Sequence, residues 1–166
     1  SAMATNSINF TSTAAMTVVT GVRKLSDAAL GMLAELSVSA GTSAGTFYVL
    51  PQHTDTKAYY SSAGTSGVNV SSGANAAPYS SVITGISAIS TPLASIRVNG
   101  TQVGTSSASQ GTGTFGTYPL YLFARAGTSL WFNGQFYGAI ICGASKTTAE
   151  IQQAESYENQ KAGGLY

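Results

Sequence analysis

Residues Gln110 to Gly143 read QGTGTFGTYPLYLFARAGTSLWFNGQFYGAIICG, and this stretch constrains the fold more than any other. A Gly/Thr loop leads into a strand that ends on Arg125. A second short loop follows, then an Asn133-Gly134 pair between SLWF and QFYGAIIC, then a strongly apolar strand. Asn-Gly is favoured in two-residue hairpin turns because both residues tolerate the positive φ that such a turn needs. The expected hairpin pairs Trp131 with Phe136. The strand after it is apolar on both faces, so it is expected to be central in its sheet or covered. Cys142 in that run reads as a buried core thiol and has no second cysteine to pair with. The whole order is that of one edge of a two-sheet β-sandwich.

The rest of the chain repeats the pattern of short β segments between Gly/Ser/Thr loops. Strands are expected at Ser7–Thr11, Met16–Arg23, Met32–Ser39, Thr46–Pro51, Ala58–Ser62, Val68–Ser71, Ser80–Ser87, Ala94–Val98, Thr101–Gly104, Pro119–Arg125, Ser129–Phe132 and Gln135–Cys142. Asn99-Gly100 marks a second hairpin. Its register pairs Val98 with Thr101, Arg97 with Gln102 and Ile96 with Val103, which puts Ile96, Val98 and Val103 on one face. One helix is expected, from Thr148 to about Ala162. Thr147 and Glu150 form a capping box, Lys161 suits the C-terminal dipole and Gly163-Gly164 stops the helix. Its inner stripe is Ile151, Ala154 and either Tyr157 or Glu158. Ser26–Leu30 reads as a short helical turn. The loops at Gly41–Gly45, Gly64–Gly67, Ser71–Ala77 and Thr105–Gly113 are the flexible candidates. Ser1-Ala2-Met3 reads as a cloning remnant before a single domain over 4–166.

Charge excludes several classes of partner. Only 8% of residues are charged, against about 25% in ordinary globular chains, and the net charge is +1. No basic stripe is present to meet nucleic acid. No apolar run approaches the ~18 residues of a membrane span. Nine Tyr, six Phe and one Trp argue for a packed core under a neutral, hydroxyl-rich surface.

The inventory of reactive groups is thin. The carboxylates are Asp27, Glu35, Asp55, Glu150, Glu155 and Glu158, and no two sit at i,i+2 on one strand, the spacing that aims a glycosidase pair at one sheet face. His53 is the sole histidine, in the polar loop PQHTD, and no Gly-x-Ser-x-Gly elbow accompanies it. Zinc spacing is absent. QGTGTFG lacks the lysine and the following helix of a phosphate cradle. Catalysis is therefore not expected. Aromatic faces remain as the better functional candidates. Tyr59 and Tyr60 alternate across a strand, so one ring is expected to be exposed. Tyr79, Tyr118 and Trp131 lie near turns, where each is either packing or ligand contact, and Arg125 and Arg97 offer donors.

VNG at Val98–Gly100, QGTGTFGTYPLYL at Gln110–Leu122, RAGTSLWFNGQFYGAII at Arg125–Ile141 and the helix TTAEIQQAESY together resemble laminin-G-like members of the concanavalin A-like lectin/glucanase superfamily. The version is similar to modules of tailed-phage and prophage tail-associated proteins. This resemblance implies an all-β jelly-roll sandwich of two antiparallel sheets with one C-terminal helix. It implies a non-catalytic attachment role on a bacterial surface polysaccharide or other glycan, in a virion or otherwise extracellular. Tyr59, Tyr60, Tyr79, Tyr118, Arg125 and Trp131 are the ligand candidates. Alternatives are a purely structural assembly module that packs against other tail-protein chains, or a carbohydrate-binding module of a secreted cellular enzyme. No cofactor is implied beyond a structural calcium at a loop rim, for which Asp55 is the ligand candidate.

Overall fold

The structure is a computed structural model that describes residues 1–38 and 44–166. It is a sandwich of two antiparallel sheets. One sheet orders its strands β1 (Met3–Ala4), β12 (Leu120–Leu122), β4 (Ala34–Leu36), β5 (Thr46–Leu50), β6 (Tyr59–Ala63) and β7 (Gly67–Ser71). The other orders β10 (Thr101–Ser106), β9 (Leu93–Val98), β8 (Tyr79–Ala88), β3 (Ala15–Lys24) and β13 (Gly134–Cys142). A small ribbon of β2 (Ile8–Asn9) and β11 (Thr117–Tyr118) stands apart. The jelly-roll expectation holds, with the single helix α1 (Thr148–Lys161) at the C-terminal end.

Alternation decides which side chains meet between the sheets. Met16, Val18 and Val22 of β3 face Phe47 and Val49 of β5, Tyr60 of β6, and Ile83 and Ile96 of β8 and β9 in one cluster. Tyr60 spans the gap. Its ring lies where a Cβ on Gly85 would stand, 2.1 Å from that position, so only glycine fits there. Its hydroxyl meets Ser87 Oγ at 2.8 Å.

Several expectations need correction. Ser129–Phe132 is not a strand and Asn133-Gly134 is not a hairpin. β13 pairs instead with β3 over Gly134↔Lys24 to Cys142↔Thr17. Those long-range ladder bonds outweigh a local turn preference. Trp131 therefore does not pair with Phe136; its one bridge is to Met32. β13 is an edge strand covered on its outer side by α1, and Cys142 is only half-buried there. The Asn99-Gly100 turn does form, with φ of 49° and 76°. A bulge after Gln102 puts Gly104 opposite Ile96, which leaves Val103 exposed. Ser26–Leu30 is not helical; Asp27 there takes Lys24 Nζ and the Ala77 N–H. The Thr105–Gly113 loop is anchored, because the wholly buried Gln110 donates to Ala88 O and Leu93 O and accepts from Ser62. The end of the Met32–Ser39 segment and most of the Gly41–Gly45 loop lie outside the described residues.

The helix begins as expected. Glu150 N–H donates to Thr147 Oγ1 and the Thr147 N–H donates to Glu150 Oε2, which completes the capping box. Its inner face is more polar than expected. Ile151, Glu155, Glu158 and Asn159 are buried, whereas Tyr157 is exposed. Gly21 and Gly138 make room for Glu158, since a Cβ on either would meet its carboxylate.

Candidate functional site

Register assembles the best candidate site. Ala4↔Tyr121, Tyr121↔Glu35, Glu35↔Tyr48, Tyr48↔Ser61 and Ser61↔Asn69 form one row across all six strands of the larger sheet. Ala34, Leu36, Phe47, Val49, Tyr60, Val68 and Val70 on either side are buried, so this row faces outward. Glu35 nevertheless has no exposure, because the loop after β12 folds over it.

That loop is tight. Arg125 N–H donates to Ser129 O at 2.7 Å, and Ser129 N–H donates back to Arg125 O at 3.2 Å. Phe123, Ala126 and Leu130 adopt φ of 70°, 47° and 48°. A left-handed conformation costs a residue with a side chain about 1–2 kcal/mol. Three such residues within eight positions mark a segment held against its own preferences, and strain of this kind gathers at functional sites. What it positions is Arg125. The guanidinium carbon lies 5.5 Å from the centre of the Tyr48 ring, and Nε lies 3.7 Å from Glu35 Oε1. Glu35 is itself fixed by the Ser37 hydroxyl and the Ala126 N–H, each at 3.1 Å. Arg125 Nε is buried without a hydrogen-bond partner among the described residues. The Tyr48 hydroxyl donates to Asn69 Oδ1 at 3.1 Å.

Tyr59 borders the same face, diagonal to Tyr48 through the Leu50↔Tyr59 pair. Its hydroxyl donates to Asp55 Oδ2 at 2.6 Å, and that bond raises the Tyr59 pKa. Its ring tilts against His53, centroids 4.7 Å apart. Asp55 sits in a turn with Thr56 at φ 66°. Desolvation works to raise its pKa, but the Tyr59 hydroxyl, the Lys57 N–H and His53 together outweigh it and lower the pKa to about 2. His53 Nδ1 lies 3.2 Å from the Asp55 N–H and 2.6 Å from its carboxylate. A neutral ring accepts from the first; a protonated ring donates to the second.

The expected calcium does not suit Asp55. Both its oxygens face donors, with Lys57 Nζ 3.7 Å away, whereas calcium wants six or more oxygen ligands. Among the described residues no group of three or more His, Cys, Asp or Glu is placed to hold a metal.

The other sequence candidates do not converge. Tyr60 has no exposure and belongs to the core, where burial pushes its hydroxyl pKa up. Tyr79 lies at the end of the other sheet and accepts from Asn99 Nδ2 at 3.2 Å. Tyr118 donates to Ala44 O at 2.8 Å, its ring over Gly116. Trp131 is 48% exposed beside Met32. Only Tyr59 and Arg125 share the Tyr48 face. Sequence reading passed over Tyr48, Glu35, Asn69 and Tyr121. The strand alternation in TFYVL singles out Tyr48 as the outward aromatic, and AEL does the same for Glu35.

Among the described residues no helix is long and apolar enough to cross a membrane. No family model matches the chain, and no curated protein matches it. Solved structures do. The Ruminococcus gnavus IT-sialidase CBM40 bound to alpha2,3 sialyllactose superposes with a TM-score of 0.67 at 12% identity, over 92% of this chain and 98% of that one. A leech intramolecular trans-sialidase complexed with 2,7-anhydro-Neu5Ac gives 0.68 at 12% identity, over 99% of this chain but 28% of that one. A heptameric SAP-like pentraxin from Limulus polyphemus gives 0.64 at 10% identity, over 84% and 68%. At such identities the likeness establishes one thing, that this chain has the jelly-roll sandwich fold of these sialidase modules and pentraxins.

Proposed function

We propose that this chain is a non-catalytic glycan-binding module whose ligand face is the outer surface of the six-stranded sheet around Tyr48. The observation that carries this is Arg125, laid across Tyr48 above a buried Glu35 by a strained loop. A tyrosine ring offers an apolar surface to the C–H face of a sugar. Arg125 and Asn69 offer polar groups to its hydroxyls. The Arg125–Glu35 pair is close to neutral, so the site selects by shape and hydrogen bonding more than by charge. The solved neighbours support the reading, since they include a sialidase CBM40 with a sialylated sugar bound.

The setting is an extracellular one, either a tail-associated attachment protein that meets bacterial surface glycan or a module appended to a secreted enzyme. The first rests on the sequence resemblance alone. The second is favoured by the leech enzyme, in which a region of this fold is about a quarter of a longer chain.

Titration calorimetry with sialyllactose, lactose and a bacterial capsule polysaccharide tests the proposal. At least one is expected to bind, and Tyr48→Ala or Arg125→Ala is expected to weaken it about tenfold or more, equivalent to ~1.4 kcal/mol. Absence of binding at millimolar ligand, or binding indifferent to both substitutions, overturns it.

A further inference from the structure

A second cleft lies on the other side of the sandwich, between α1, the Asn99-Gly100 turn and the C-terminal residues. Its volume is about 350 Å3, within the range of small-molecule sites. Glu155 lines the floor and is neutralised by Arg97 in an ion pair. Arg97 Nε donates to Glu155 Oε1 at 2.7 Å and Nη2 donates to Oε2 at 3.1 Å, while the Thr84 hydroxyl donates to Oε1 at 2.9 Å. The Glu155 side chain is 3% exposed. Its charge is cancelled at the place where a ligand would sit.

The walls are neutral and polar. Gln152 and Ser156 face the cleft from α1, and Thr101 faces it from the start of β10. One end is closed by the ring of Tyr166 over Gly100. That glycine has φ +76°, and a Cβ on it would stand 3.1 Å from the ring. Asn159 pins the segment that carries the ring. Its Nδ2 donates to Tyr166 O at 2.8 Å, and its Oδ1 accepts the Leu165 N–H at 2.6 Å. The backbone that carries the ring is thus held, and the ring rests on Gly100 with Tyr166 54% exposed.

A half-exposed aromatic ring on an anchored segment, beside amide and hydroxyl groups without hydrogen-bond partners among the described residues and over a charge-cancelled floor, is poorly matched to an ion or a lipid chain. It suits a ligand with one C–H face and many hydroxyls. We infer that this cleft is a second saccharide site, one that takes a neutral hexose with its C–H face on Tyr166 and its hydroxyls on Gln152, Ser156 and Thr101. The inference borrows its ligand class from the proposed function but shares no residue with the Tyr48 face. Two sites on opposite sides of one module allow it to bridge chains, or to gain avidity on a dense glycan surface.

The test is an amide NMR titration of the whole chain with glucose, galactose, N-acetylglucosamine and lactose into the millimolar range. The expected result is saturable shifts at Thr101, Gln152, Ser156 and Tyr166 with at least one probe. Gln152→Ala and Tyr166→Ala are each expected to weaken that binding about tenfold, the equivalent of one 1.4 kcal/mol step. Gln152 is exposed on the helix, so its loss does not threaten the fold; an unchanged melting temperature checks this. Shifts confined to the Tyr48–Arg125 face overturn this inference and leave the proposed function standing; shifts confined to the cleft support this inference and leave the Tyr48 face to be decided by the calorimetry with sialyllactose and capsule polysaccharide. No shift with any of the four sugars, or shifts unaltered in both variants, also overturns it.

Discussion

Glu35→Gln is the sharpest probe of the Tyr48 face, because it changes one atom and no volume. In the parent, Oε1 accepts from Ser37 and lies 3.7 Å from Arg125 Nε, while Oε2 accepts the Ala126 N–H. A glutamine has one acceptor oxygen. If that oxygen serves Ala126, the amide NH2 points at Arg125 Nε, donor against donor. If it turns the other way, the Ala126 N–H is orphaned under the loop. The first choice turns attraction into repulsion at an Nε that has no hydrogen bond in the parent either; the second leaves the Ala126 N–H newly unpaired, at about 1–3 kcal/mol. The lost charge adds less. Unit charges 3.7 Å apart attract by ~4 kcal/mol at an effective dielectric constant of about 20. The Arg125 side chain is 25% exposed, however, and screening and side-chain entropy reduce such pairs to about 1 kcal/mol or less. Together these come to roughly 1–4 kcal/mol. With a urea m-value of about 2 kcal/mol/M for a chain of this size, the unfolding midpoint falls by ~1 M. In an Arg125→Ala background the same substitution should be cheaper by about 1 kcal/mol, the coupling of the pair. A midpoint within ~0.2 M of the parent, or an identical loss in both backgrounds, refutes the claim that Glu35 anchors Arg125.

Three further outcomes follow from single contacts. Tyr60→Phe removes a buried hydroxyl and strands Ser87 Oγ in the core; urea unfolding should show a loss of about 1–2 kcal/mol with an unchanged m-value. Asp55 has a folded pKa of about 2 against an ordinary 3.8. Its ionised form therefore favours the folded state, with a contribution complete above 3.8 and lost as the pH falls through about 2. The melting-temperature gap between the parent and Asp55→Asn should close over that window, and a gap independent of pH would count against the assignment. Thr147→Ala removes the helix cap and should cost about 1 kcal/mol by urea unfolding.

The strands were legible where alternation and turn chemistry agreed. Thr46–Pro51 against Thr46–Leu50 and Ser80–Ser87 against Tyr79–Ala88 differ by a residue at an end. Asn99-Gly100 turned as its residues favour because β9 and β10 were already neighbours in sequence. Asn133-Gly134 carries the same dipeptide and makes no turn, because β13 finds a ten-residue partner in β3, more than a hundred residues away. A local rule cannot weigh that competition. The site was half legible for a related reason. Arg125 and Tyr59 were visible as residue types, but Tyr48 and Glu35 become a site only through register across the sheet and a loop whose left-handed Phe123, Ala126 and Leu130 no propensity anticipates.

The scarcity of charge gains its meaning from where the charges went. All six carboxylates stand within 3.7 Å of a cationic group: Asp27 with Lys24, Glu35 with Arg125, Asp55 with His53 and Lys57, Glu150 with Lys146, Glu155 with Arg97 and Glu158 with Lys161. Each pair braces a structural junction: a turn, a helix end, or the underside of α1. The same pairing leaves both candidate faces without a net field, so in the proposed reading selection there falls to two rings, Tyr48 beside Arg125 and Tyr166 over Gly100, and to the neutral amides and hydroxyls beside them. In the proposed reading the charges hold the fold and the tyrosines carry recognition.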